Sequence, residues 1–272
     1  MAELTGSSVA RRLPGPGPVL LAQIRYQAML LIRTPRALVG GVILPAMLLI
    51  VTHIGKGQVA LSQLAGLTVL GVTITAWSTN GITLVAARES GVLKRWRATP
   101  LPPWCYFVAR VLATVIVAVL AGVVTMAIGV LLYHTHLTAP GVLGTLLALV
   151  LGALAWAAAA IAITGVIPNV ASAWPVLMVV YLPVILVSGG FGGLGGEPRW
   201  LVQVASYFPA EPMIHATTQA LEYSAGRGLL SAHDVVVLAC WAAAGLIGAR
   251  VLFRWQPSRP SSRGRSSRAG SR

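Results

Sequence analysis

The residues that could do chemistry in this chain are few and far apart. Glu89 stands beside Arg88, and Lys94, Arg95 and Arg97 follow within one short segment. Glu211 and His215 are four apart, the spacing of neighbours on a helix surface. His134 and His136 are two apart, with no Cys or carboxylate beside them to complete a metal site. A catalytic pair at 211 and 215 needs a nucleophile or metal in company, and the sequence offers none nearby. Cys105 and Cys240 form no CxxC pair and read as small packing residues. The run GGFGGLGGEP at 189–198 is Gly-rich but lacks the Lys and Ser/Thr that close a phosphate-cradling loop, so its glycines read as a bend. Nothing in the chain has the form GxxxxGK[ST]. Any ATP chemistry would therefore belong to another polypeptide, and no cofactor or metal is expected on this one.

These residues must be positioned by elements built for lipid. The chain is 56% hydrophobic and only 10% charged, with mean hydropathy +0.80. Apolar runs of roughly 18 residues or more recur, long enough to cross the hydrocarbon of a bilayer. Backbone in lipid must satisfy its own hydrogen bonds, so these runs are helices, and no alternating strand pattern suggests a barrel. The fold expected is all-α and polytopic. Six spans are read at about 37–54, 61–86, 106–132, 142–167, 173–191 and 235–253. Pro45 is expected to kink the first, and Pro175 and Pro183 interrupt the fifth. Residues 1–18 read as a flexible leader without the pattern of a signal peptide. The stretch VLLAQIRYQAMLLIR carries Gln23, Arg25, Gln27 and Arg33 and suits a helix lying at the interface. Thr34-Pro35 then starts the first span. Trp77, Trp104, Trp174, Trp200 and Trp255 read as interfacial anchors, and Trp156 as core.

Charge orients the whole. The net charge of +14 is confined to the N-terminal segment, one internal loop and the Arg-rich tail at 254–272. With both termini cytoplasmic, 17 of the 20 basic residues fall inside and four of the six acids outside. That distribution favours a multi-pass protein of the cell membrane over a nucleic-acid binder. The tail reads as disordered and drawn to anionic lipid.

The internal loop is the most informative segment. From Arg88 to Arg97 it can form a short helix with Val92, Leu93 and Trp96 on one face and a basic rim, broken by Thr99-Pro100-Leu101-Pro102-Pro103. Such a helix, held by two spans, suits the cleft of a soluble partner. Glu89 could equally pair with Arg88 or Arg95.

The run RESGVLKRWRATPL resembles the signature of the ABC type-2 permease family. Thr34-Pro35-Arg36 before the first span, Ser188-Gly189-Gly190 after the fifth and SYFPAEP at 206–212 are similar too. The resemblance covers about 20–253, a single six-span membrane domain taken here as 19–253, and is nearest to actinobacterial daunorubicin-type drug-efflux permeases. It implies a coupling helix that carries Glu89, Gly91, Leu93, Arg95, Trp96, Thr99 and Pro100 and docks on a separate ATPase subunit. It implies an external helical hairpin containing Tyr207, Pro209, Glu211 and Pro212. It implies a dimer of permease subunits, most simply a homodimer, exporting a hydrophobic drug-like or lipid-like substrate, with antibiotic resistance as one outcome. The alternatives are an ion- or proton-coupled carrier and a membrane scaffold. Proton coupling is disfavoured because the spans hold essentially no ionisable group between their ends.

Overall fold

The computed structural model describes residues 16–56, 61–93, 103–135, 137–188, 198–223 and 229–252. Among these it is helical, with no strand. The elements are α1 (Pro16–Ile32), α2 (Pro35–Gly55), α3 (Leu61–Glu89), α4 (Pro103–Tyr133), α5 (Ala139–Thr164), α6 (Val170–Val187), α7 (Arg199–Ala205), α8 (Ala210–Leu221) and α9 (Ala232–Leu252). Six of them, α2 to α6 and α9, are long and apolar enough to cross a bilayer. The six expected spans are all present, each displaced by a few residues at its ends. Of the leader read at 1–18, residues 16–18 instead begin α1; its remainder and the tail at 254–272 lie outside the described residues.

Burial ranks the spans. In α3, 83% of the most apolar stretch is buried inside the protein, against 28% in α2 and 22% in each of α6 and α9. So α3 is the central post, walled by α4, α5, α8 and the π turn of α2. Helices in lipid gain no hydrophobic energy from meeting one another, so close packing and polar contacts must hold them. Small residues supply the closeness. A Cβ on Gly245 of α9 would lie 2.6 Å from the α5 backbone at Ala158 and Ala159. On α5, Gly141, Gly144, Ala148 and Gly152 line a groove, and α8 lies in it: Cβ atoms at 141, 144 and 152 would meet Ala220, Ala220 and Met213 within 3 Å.

Pro45 acts differently from a simple kink. Its ring nitrogen cannot donate to the carbonyl of Gly41 four residues back. The chain widens just before it into a π-helical turn over Val39–Ile43, with Leu44 N–H donating to Val39 O. The Gly41 carbonyl presses on α3 at Gly71, where a Cβ would lie 2.3 Å from the oxygen. Facing it, α3 has its own π turn at Ile74–Thr79. Two such turns thus meet side by side in the α2–α3 contact. Pro175 and Pro183 sit within α6 without ending it.

Trp77 departs from the interfacial expectation. It is buried in mid-span on the π turn of α3, and its Nε1 donates to Leu177 O of α6 at 3.0 Å. Its ring meets Trp156 edge-on at 5.4 Å, and Trp156 meets Tyr181 at 5.7 Å. The Tyr181 hydroxyl lies 2.9 Å from the Thr73 hydroxyl. Three aromatic rings thus join α3, α5 and α6. Even the expected span of 61–86 put Trp77 well inside it, and tryptophan's general preference for the interface misled the reading.

Candidate functional site

The end of α3 that bears Arg88 also carries the start of α4, the α5–α6 turn and α1. Two polar assemblies are built there. In the first, α3 ends at Glu89 and Ser90, and Gly91 follows at φ +74°, a left-handed conformation that a Cβ would oppose. The last turn of α3 puts Arg88 and Glu89 against the α5–α6 turn. Arg88 donates to Thr164 O at 2.8 Å and also to Ile167 O. Glu89 Oε2 accepts the N–H of Val170, the first residue of α6, at 2.9 Å. The next N–H but one, Ser172, is taken by Asn169 Oδ1 at 2.9 Å. A helix ends with bare carbonyls and a negative dipole end, and begins with bare N–H groups and a positive one. The cation therefore caps the end of α5 and the anion caps the start of α6. Adjacent opposite charges meet adjacent opposite helix termini.

In the second assembly, α4 brings Arg110 inside, where it is 2% exposed. Its Nε donates to Asn80 Oδ1 (2.8 Å), one terminal nitrogen to Gln27 Oε1 (2.9 Å), and the other to Asn80 O (3.0 Å) and the Thr83 hydroxyl. All these acceptors are neutral. They come from α1 and α3, so one guanidinium ties the first helix to the central span. The sequence by itself assigned no partner to Arg110, Asn80 or Thr83, and Gln27 read only as a polar residue of an interfacial helix. The available signal was the rarity of Asn and Arg in otherwise apolar runs.

The expected loop residues separate. Glu89 faces the protein's own α6. Leu93 is fully buried in the core while Val92 is 38% exposed, so the two do not share an open ridge. Arg95, Trp96, Thr99 and Pro100 lie outside the described residues.

At the opposite end, α7 and α8 form two legs joined through Ser206–Pro209. Ser206 and Phe208 N–H donate to Val202 and Ala205 carbonyls. Pro209 precedes α8, and Pro212 lies in its first turn, where a missing N–H costs nothing. Glu211 lies in that turn too, favourable for the helix dipole. Tyr207 is exposed, and its carbonyl accepts the Trp241 Nε1–H at 2.7 Å.

His215 does not turn to Glu211. Its Nδ1 lies 2.7 Å from Asp234 Oδ2, and His233 Nδ1 lies 3.4 Å from the other oxygen of this buried carboxylate. The bond to Asp234 raises the His215 pKa above its ordinary 6.5. Burial raises the pKa of Glu211, against the opposing pull of His215. A hollow of about 350 Å³ opens there among His215, Thr218, Gln219 and Glu222. Among the described residues no three His, Cys, Asp or Glu side chains gather as metal ligands. His134 is at the exposed end of α4 and His136 lies outside the described residues.

Set beside known proteins, the chain matches the family model described as ABC-2 type transporter over residues 19–221. No curated protein matches it.

Proposed function

Because this chain belongs to the ABC-2 type transporter family, we propose that it is the membrane-spanning permease subunit of an ATP-binding-cassette exporter. The observation that carries the reading is the family match across 19–221 on a six-span helical architecture. ATP and Mg are bound by a separate ATPase subunit. That subunit docks on the segment after α3, through Arg95, Trp96 and neighbours up to Thr99 and Pro100. Both termini face the cytoplasm, in keeping with the distribution of basic residues.

The substrate is hydrophobic, drug-like or lipid-like, as in efflux of the daunorubicin type. Apolar span surfaces support this class, and a second permease subunit, most simply a copy of this chain, completes the path. The lightly buried α2 and α6 are available to face it.

The test is co-purification of an ATPase subunit with the wild-type chain from native membranes in mild detergent. Retention of such a subunit, with ATP hydrolysis that requires its Mg site, supports the permease reading. Its absence from membranes that contain candidate ATPases would sink the reading and bring a carrier or scaffold role forward.

A further inference from the structure

The turn between α5 and α6 is short, bears no charge of its own from 164 to 170, and leaves Val166 64% exposed. Two helix termini nevertheless meet there with most of their loose polar groups taken. Of the carbonyls that end α5, Ala162 O accepts from Gly165, Ile163 O from Val166, and Ile161 O from the Thr164 hydroxyl. The carbonyls of Thr164 and Ile167 are left for Arg88. At the start of α6, Asn169 takes Ser172 N–H, and Glu89 takes Val170 N–H. The cap is thus shared between the turn itself and the far end of α3, about 80 residues earlier. The side chain of Ile167 is buried on one side of the joint and that of Leu93 on the other.

We propose that Arg88 and Glu89 are positioning residues that make the α5–α6 turn move as one body with the segment following Gly91. Glu89 then serves inside the permease and does not touch the ATPase. This rests on the permease reading, in which an ATPase subunit acts on that segment. A push on residues 91–93 meets two constraints. Gly91, left-handed, sets the direction in which the segment leaves α3. Arg88 and Glu89, immediately before it, hold α5 by its carbonyls and α6 by its first N–H. Movement is delivered to the base of α6, which carries Leu177 and Tyr181 of the aromatic cluster. Charge-assisted bonds to helix termini suit this task, since they are stronger than neutral ones and set by direction.

The experiment uses the full chain in lipid nanodiscs together with the ATPase subunit it retains from native membranes. Cys105 and Cys240 are replaced, and spin labels are placed at Val92 and Val166, both exposed. The distance between them is measured without nucleotide and with ADP and vanadate. In the wild type it stays single and unchanged, because the two sites travel together. Glu89→Ala retains the ATPase subunit and its hydrolysis, but trapping splits or shifts the distance, with the open joint favoured roughly tenfold more than in the wild type. Glu89→Gln keeps an oxygen acceptor and restores the single distance, and Arg88→Ala behaves as Glu89→Ala. A thermal melt of each variant separates loss of the joint from loss of the fold, and Glu89→Gln serves where Arg88→Ala does not fold. The proposal is overturned if Glu89→Ala releases an ATPase subunit that the wild type holds, since Glu89 is then a docking residue and the permease reading stands. It is also overturned if Glu89→Ala leaves the distance unchanged. If the wild type itself retains no ATPase subunit, the permease reading fails, and the transmission claim falls with it.

Discussion

Arg110 shows how a permanent charge is kept in a membrane domain without a carboxylate. Four neutral acceptors on Asn80, Gln27 and Thr83 surround its guanidinium. Truncation would strand several of them in a dry site, and each stranded group costs on the order of 1–3 kcal/mol. Arg110→Met is therefore expected to lower stability by roughly 3–5 kcal/mol, read as a reduced midpoint in detergent unfolding. Arg110→Lys keeps the charge but not the fork, and should recover only part of the loss. An Arg110→Met protein as stable as wild type would show that the network is ornamental. At the opposite end, the His215–Asp234 contact predicts a pH dependence. The folded His215 pKa lies above 6.5, so its contribution is complete below that value and is lost as pH rises through the raised pKa. The raised Glu211 pKa acts in the same direction, because the folded state favours its protonated form. The wild type should thus melt higher than Asp234→Asn at roughly pH 5.5, with the gap closing toward pH 8.5. A gap independent of pH would remove His215 from the account.

At the scale of elements, glycine positions separate backbone from side-chain contact. A Cβ at Gly71 meets the Gly41 carbonyl at 2.3 Å, and one at Gly245 meets the α5 backbone at 2.6 Å. The three atoms nearest a Cβ at Gly152 all belong to the flexible Met213 side chain. Gly71→Ala and Gly245→Ala should each cost about 2–3 kcal/mol or more, and Gly152→Ala well under that. Equal melting shifts for all three would contradict the packing described. One helix start was legible: Thr34-Pro35 opens α2 with proline in its first turn, while the Thr34 hydroxyl donates back to Leu30 O. At α5 the Thr138 hydroxyl caps Gly141 N–H, a few residues before the expected start at 142. The π turns were not legible. Pro45 announced only that a bond is missing, and where the freed Gly41 carbonyl goes depends on α3 having a glycine opposite.

The whole molecule is a bundle in which spans differ in what surrounds them. Orientation is open to direct test. In a cysteine-free background, Ala139→Cys should react with a membrane-impermeant maleimide on intact cells, and Val166→Cys only after the membrane is opened. The reverse pattern would invert the topology and, with it, the side on which an ATPase can dock. By itself the sequence determined that the chain is helical, has six runs long and apolar enough to cross a membrane, and groups its basic residues in the N-terminal segment, one internal loop and the tail. Those properties are local: each span is fixed by its own run of apolar residues, because lipid leaves the backbone no other partner. It also carried the family, through RESGVLKRWRATPL and the later SYFPAEP. Only the tertiary structure decided that α3 is the central post and that α8 lies in the glycine groove of α5. It alone placed Trp77 in the core and turned Glu89 toward Val170. Each of these rests on groups that meet across a long stretch of chain, such as Glu89 and Val170, 81 residues apart. The one local hint is that α3 is the least apolar of the six spans; the meetings themselves follow no local pattern, since packing in lipid discriminates by shape and a few hydrogen bonds.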